Sequence, residues 1–584
     1  MMQTLSGMAK ACFAAALLTA GLAACIGHER HPRVGAPQEP SPTTEPSPGT
    51  GHAGHVVPKP RRFFPEGAGA PLFQDLGSYS WPIDAAGELA QRYFDQGLIL
   101  TYGFNHAEAV RAYREAQRLD PECAMCFWGE AYALGPNINL PMADDAVPQA
   151  FAASRRAIEL AATAKERALA EALVERYAAE PVEDRAPLDA AFAAAMREVA
   201  REYPEDLDIQ TLFAESLMTT MPWDYYQDDG SAKPETDEAV AVLESVLARS
   251  PNHAGAIHFY IHAVEPSAAP ERAEAPADRL LRLVPGAGHL VHMPAHIYLR
   301  VGRYHDASKS NEMAAAADET YITQCRAQGF YPAAYYPHNV HFLWAVAAFE
   351  GRSEVSIEAA RKVVTLIPEE MVADVPILEE LLPTHLFGLA RFGDWDAILE
   401  QPAPAPNYRY LTGIWHYTRG LARLGRDEIE PAEEELARLR EIAELGDLKE
   451  LVLVSGSSAA ALLGIAVDDL AGRLAAARGD YDAAIDRLRD AAEAQDALPY
   501  TEPPPWYFPQ REALGEVLLR AGRPAEAAAV YREQLELTPR NGWSLFGLAR
   551  SLEAQGRQND AVAVERRLRD AWALADVELT ASIF

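Results

Sequence analysis

The sequence predicts an all-α fold in which helix–turn–helix units stack into a long solenoid. Three observations predict it. Beyond residue 85, alternating β patterns are scarce, and Ala-, Leu- and Arg-rich stretches recur with helical spacing. A set of small, aromatic and proline positions returns at a fixed spacing along the chain. At 584 residues the chain is also too long for one ordinary core.

The first segment reads as an address. From Met8 one lysine precedes an apolar run that ends in Leu22-Ala23-Ala24-Cys25. A charged start, a short apolar stretch and small residues before a break describe a secretory signal over residues 1–24. The run is too short for a comfortable membrane span. Leu-Ala-Ala-Cys resembles a bacterial lipobox, which implies cleavage before Cys25 and lipidation of its thiol. Residue 26 is Ile and not Asp, so the resemblance implies an exported lipoprotein at the periplasmic face of the outer membrane or the cell surface.

Residues 25–60 are rich in Pro, Ser, Thr and Gly, cannot bury a core, and read as a tether. His52 and His55 lie in that spacer. An irregular segment is expected over residues 61–84.

From Ala90, the residues Gly97, Ala109, Tyr113, Ala116 and Pro121 fall at positions 8, 20, 24, 27 and 32 of a 34-residue unit. From Gly288 the register returns with Ala295, Tyr298, Gly302, Tyr304, Ala307 and Ala314. It returns again with Gly472, Gly479, Tyr481, Ala484 and Ala491, then with Gly515, Gly522, Ala527, Tyr531 and Pro539. Small residues let two antiparallel helices approach, and the proline ends the second helix. These positions resemble the tetratricopeptide repeat, which implies a right-handed superhelix. Weaker copies begin near Leu207, Ala254, Pro337, Glu379 and Leu411, and residues 136–200 match poorly. The expected division is one array over residues 85–400 and a second over 401–584.

Composition narrows the function. With 49% apolar and 23% charged residues the chain is globular and not disordered. A net charge of −33 excludes a broad nucleic-acid footprint, which needs a clustered basic face. No P-loop, Gly-x-Ser-x-Gly, Rossmann glycine pattern or EF-hand loop occurs, so no catalytic motif is recognised. In an exported protein the Cys123-Ala-Met-Cys126 pair reads as a structural disulfide or a buried thiol pair. It is not Cys-x-x-Cys-His, so haem attachment is unsupported.

Histidines carry the functional signal. Nine of the sixteen lie within residues 253–341, where an even spread would place about two. In the resembling family, positions 2, 5, 9 and 12 of the first helix line the concave face. Those positions hold Asp208 and Glu215 in the unit from Leu207, and His258, His262 and Glu265 in the unit from Ala254. They hold His289, His292 and His296 in the unit from Gly288, and His338 and His341 in the unit from Pro337. Seven histidines and three carboxylates are thus expected on one groove. Adjacent helices lie about 8–10 Å apart, so two histidines from each of two helices are within reach of one ion.

Two readings follow. In the first, a membrane-tethered scaffold of the cell envelope holds a peptide or partner protein in the groove. Asn137, Asn139, Tyr331, Tyr335, Tyr336 and Asn339 would then add amide and stacking contacts. In the second, His258, His262, His292 and His296 bind zinc or copper in a metal carrier or a metal-dependent enzyme, because neutral imidazole suits both ions. His258 is followed by Phe259, so the general base of a His-Glu-x-x-His metalloprotease is missing. The strings CAMCFWGEAYALGPNIN, HLVHMPAHIYLRVGRY and YYPHNVHFLW resemble a subgroup of exported bacterial tetratricopeptide repeat proteins, which implies architecture and location only. The Pro503-Pro504-Pro505-Trp506 stretch is expected to be a rigid turn between repeats.

Overall fold

A computed structural model describes residues 65, 67–325 and 330–584. The expected signal segment, Cys25 and the tether lie outside the described residues.

The described residues form an all-α helical-repeat fold. Helices α1 (Glu88–Tyr102), α2 (His106–Leu119), α3 (Ala124–Leu134) and α4 (Val147–Leu160) open it. Next come α5 (Ala164–Val174), α6 (Ala186–Glu202), α7 (Leu207–Thr219) and α8 (Pro234–Arg249). The middle holds α9 (Ala254–Val264), α10 (Glu274–Leu283), α11 (Gly288–His292) and α12 (Pro294–Arg300). It continues through α13 (Tyr304–Cys325), α14 (Phe330–Phe349), α15 (Ser353–Leu366) and α16 (Glu369–Asp374). Then follow α17 (Thr384–Arg391), α18 (Trp395–Glu400), α19 (Arg409–Gly425), α20 (Ile429–Ala443) and α21 (Ala459–Ala477). The last are α22 (Tyr481–Asp496), α23 (Gln510–Arg520), α24 (Pro524–Leu537), α25 (Gly542–Ala554) and α26 (Gln558–Ala571). Among the described residues, β structure is limited to isolated bridges such as Asn137 with Leu140. No described helix is long and apolar enough to cross a membrane.

The repeat register has a visible cause. A Cβ on Gly97 would lie 2.6 Å from the Tyr113 ring, and one on Gly129 would lie 2.3 Å from the same ring. Tyr113 of α2 therefore wedges between α1 of its own unit and α3 of the next. The arrangement repeats with Tyr531 between Gly515 and Gly547. Only a missing side chain on both faces lets the aromatic ring enter so closely.

The poorly matching stretch over 136–200 is helical too. Thr163 and Glu166 form a reciprocal cap at the start of α5. Arg176 is fully buried; its Nη2 donates to the Pro136 carbonyl at 2.9 Å, and its guanidinium lies over Tyr132 and Phe192.

The array returns on itself. Trp543 at the start of α25 donates its indole N–H to the Ala348 carbonyl at 3.0 Å. The backbone of Pro539 and the ring of Trp572 press against Gly302 and Gly351, both at positive φ where glycine is favoured. Arg391 and Glu512 form a buried ion pair at 2.7 Å. Residues 512–572 thus lie against residues 302–391, and this closure brings the segment between α22 and α23 over the histidine-bearing helices.

Candidate metal centre

Three pieces of chain supply the histidines. His258 and His262 sit one turn apart on α9, so they share a face. Every residue of α9 is buried, which its sequence Ala-Gly-Ala-Ile-His-Phe-Tyr-Ile-His-Ala-Val allows on all sides except at the two imidazoles. His289 and His292 lie on α11, and His296 on α12. Pro294 separates these two short helices because it has no N–H to continue the ladder. His338 follows Pro337 inside α14.

The structure gathers these six rings into one chamber. His258 and His292 are 0% exposed, and His262, His289 and His296 are buried with them. His258, His262 and His289 bring ligand atoms within 4.8 Å of one another, and so do His292, His296 and His338. A third group at the edge comprises Glu265, His296 and Glu502.

Hydrogen bonds set the tautomers. His258 Nδ1 is 2.5 Å from the Tyr102 carbonyl, which only accepts, so that nitrogen donates and Nε2 carries the lone pair. His292 Nδ1 is 2.7 Å from Asn311 Oδ1, whose amide nitrogen already donates to Ala307. His262 Nδ1 is 3.0 Å from Glu265 Oε1, and its Nε2 has no partner. His296 Nδ1 lies 2.7 Å from Glu265 Oε2 and 3.0 Å from Glu502 Oε2, at ion-pair distance but off the line of a hydrogen bond. The Nε2 atoms meet in pairs at hydrogen-bond distance, His258 with His289 at 3.1 Å and His292 with His296 at 2.8 Å, so in each pair one ring donates the proton that the other accepts. An outer acceptor on Nδ1 with Nε2 turned inward is how proteins orient imidazoles toward a metal.

Two buried polar atoms of this chamber, His262 Nε2 and His289 Nδ1, have no partner, while His296 Nδ1, Glu265 Oε2 and Glu502 Oε2 meet one another as ion pairs. Leaving such atoms unsatisfied costs about 1–3 kcal/mol each, so their concentration asks for a bound group.

Electrostatics favours neutral rings at His258, His262, His289, His292 and His338, and a charged ring at His296. Burial first, and then the charge of neighbouring histidines, holds His258, His289, His292 and His338 well below the usual histidine range. Burial also lowers His262, with Glu265 opposing. His296 differs: burial works against its charge, but Glu265 and Glu502 overcome it and raise the ring to about 10. Glu265 is likewise penalised by burial, and His296 and His262 pull it down to about 2. Burial and then the nearby Glu265 charge push Glu502 up, against His296. Neutral imidazole is the form that ligates, so His296 would release a proton on joining a metal site.

Aromatic walls enclose the rings. Phe104 lies 4.6 Å from His258, and Trp223 lies 5.2 Å from His262, centre to centre. Both hold a positive φ, 55° and 59°, which bulky residues rarely adopt. The Trp223 indole donates to Asn139 Oδ1 at 3.0 Å, and Asn139 donates to the Tyr335 hydroxyl at 3.3 Å. Tyr335 in turn packs 4.6 Å from His289. Strained backbone of this kind persists where surrounding structure over-determines it, often at functional sites.

The segment between α22 and α23 forms the remaining wall. Tyr500 donates to the Glu265 carbonyl at 3.2 Å, and the Arg300 guanidinium lies 5.4 Å over its ring. Glu502 enters the chamber, and Tyr507 pairs with His341 at 2.9 Å. The histidine stripe is thus covered, and a peptide reaches these rings only if residues 500–507 move.

Not every expected groove residue joins the six. Asp208 accepts from Tyr79 and Tyr102, at 2.7 and 2.8 Å, and Glu215 accepts from Tyr132 and Thr219. His341 turns to Tyr507, and burial lowers it to about 3. His253 accepts the Ala256 N–H on Nδ1 and caps α9. Asn339 and Tyr331 donate to Asp318, while the Tyr331 hydroxyl also accepts the His289 N–H at 3.0 Å, which holds α11 against α14. Cys123 and Cys126 form a disulfide in a separate core with Tyr93 and Ala112. Asn311, Glu502, Phe104 and Trp223 were not evident from the sequence. The one available signal was Glu502, the acidic residue directly before the Pro-Pro-Pro-Trp turn.

No curated protein matches the chain. Among solved structures, the Cut9–Hcn1 hetero-tetramer of APC/C is 12% identical, with 85% of this chain and 76% of that chain covered at a TM-score of 0.28. A human IFIT1 dimer with PPP-AAAA is 12% identical over 83% and 91%, at 0.30. Yeast Tom70 is 12% identical over the same shares, 83% and 91%, at 0.27. The tetratricopeptide repeat family matches residues 511–542, the unit that contains Gly515 and Tyr531.

Proposed function

We propose that this protein is a helical-repeat protein of the cell envelope, tethered through Cys25, whose middle repeats bind copper or zinc in a buried imidazole chamber. The observation that carries the reading is the inward convergence of Nε2 atoms whose Nδ1 partners are already fixed: Tyr102 for His258, Glu265 for His262, Asn311 for His292. All-imidazole, oxygen-edged sites suit borderline metals more than magnesium or calcium. Metal analysis of the purified protein, before and after exposure to each ion and a desalting step, tests it. Retention of copper or zinc at one or more ions per chain supports the reading, and no retention above trace ends it.

A repeat scaffold of this type suggests protein or peptide binding in general, and the tetratricopeptide repeat match over 511–542 favours partner capture as a second reading. Its groove-centred form places the partner on His289, His338 and their neighbours, after displacement of residues 500–507. Capture of a defined partner that is unchanged when His262 and His296 are replaced would exclude that form.

A further inference from the structure

We infer that the chamber is built for two ions, each held by three imidazoles, with their free coordination positions facing one another. The inference rests on the metal-binding reading above. His258, His262 and His289 take one ion, and His292, His296 and His338 take the other.

The count follows from geometry. Ligands on a tetrahedral ion with metal–nitrogen bonds of about 2.0–2.1 Å sit roughly 3.3 Å apart. Two nitrogen pairs already approach that spacing, His258 with His289 at 3.1 Å and His292 with His296 at 2.8 Å, one pair in each trio. A single ion would have one cluster of short edges, and its four positions cannot take six rings. The trios are also neighbours. His262 and His296 are 5.8 Å apart between ring centres and His289 and His292 are 5.9 Å apart, within the range found inside a trio.

Glu265 ties the halves together. Its Oε1 faces His262 of the first trio and its Oε2 faces His296 of the second, so one buried carboxylate orients a ring on each ion. Three protein ligands leave a fourth position open on each ion. With five of the six rings buried and residues 500–507 covering them, the ligand class inferred for those positions is a small bridging molecule or anion, such as hydroxide or azide, and not a peptide.

The test uses the full protein loaded with Cu(II) alone. Bound copper is counted after dialysis, and the paramagnetic resonance spectrum is recorded. The expected result is two ions per chain with a spin-coupled or dipolar-broadened spectrum. His289→Ala and His338→Ala should each lower the count from two to one and restore a simple single-ion spectrum. One ion in the unsubstituted protein overturns the two-ion inference while metal binding stands. Two ions with an unbroadened spectrum also overturn it. No bound ion overturns both readings. The unsubstituted protein alone decides these outcomes, even if a variant fails to fold.

Discussion

Glu265 lies at the end of α9, yet its Oε2 is 2.7 Å from Nδ1 of His296 on α12, and both side chains are buried. A carboxylate in this position orients the ring and raises the basicity of the opposite nitrogen. Glu265→Gln should therefore weaken copper or zinc binding by about 10–100-fold. Competition against a chromophoric chelator measures it. Unchanged affinity would remove Glu265 from the site.

The wedge between repeats makes a separate prediction about stability. Gly97→Ala places a methyl 2.6 Å from the Tyr113 ring, and Gly129 closes the ring's other side. The overpacking should cost about 1–3 kcal/mol. Gly515→Ala should do the same against Tyr531. Denaturant unfolding of each variant reports the loss, and metal content should stay unchanged.

Glu380 gives a pH dependence. Burial raises it from 4.5 to about 7, against the N–H of Ser455, which donates to it at 2.8 Å. The folded state holds the proton more tightly than the unfolded one, so this contribution to stability is present below pH 4.5. It is lost as pH rises through about 7. The span corresponds to about 3 kcal/mol. Glu380→Gln should melt higher than the parent at pH 8 and show a shallower slope between pH 5 and 7. Some slope remains, because burial raises Asp318 to about 7 in the same direction.

The Cys123–Cys126 disulfide closes a short loop in a core distinct from the chamber. Its contribution through the unfolded chain is about 2 kcal/mol. Replacing both cysteines by serine should lower thermal stability by that order and leave the copper count untouched. A fall in copper binding would connect the two regions.

Much of the site was legible because the 34-residue period encodes local geometry. It put His258, His262, His289, His292, His296 and His338 on one face, and the structure brings those six together. It also put Gly97 and Tyr113 at repeat positions 8 and 24, which the structure brings against each other. The period carries no information about partners from elsewhere in the chain. Asp208 and Glu215 occupy the same repeat positions, but Tyr79, Tyr102 and Tyr132 engage them. His341 is drawn to Tyr507 for the same reason. Glu502 enters from a segment far along the chain, where residues 512–572 return to residues 302–391 and Tyr500 and Tyr507 make contacts of their own. The helices of 136–200 lack the small-residue pattern, yet they form through ordinary capping and burial.

That closure has a mechanical meaning. The chamber's histidines belong to the middle of a stacked spring, while its last wall, Tyr500 to Tyr507, rides on a later coil. Trp543 against Ala348 and Glu502 against His296 are two contacts of the same later segment with the same middle repeats. The last wall over the rings is thereby held by contacts between distant repeats, Trp543 with Ala348 and Arg391 with Glu512, as well as by its own.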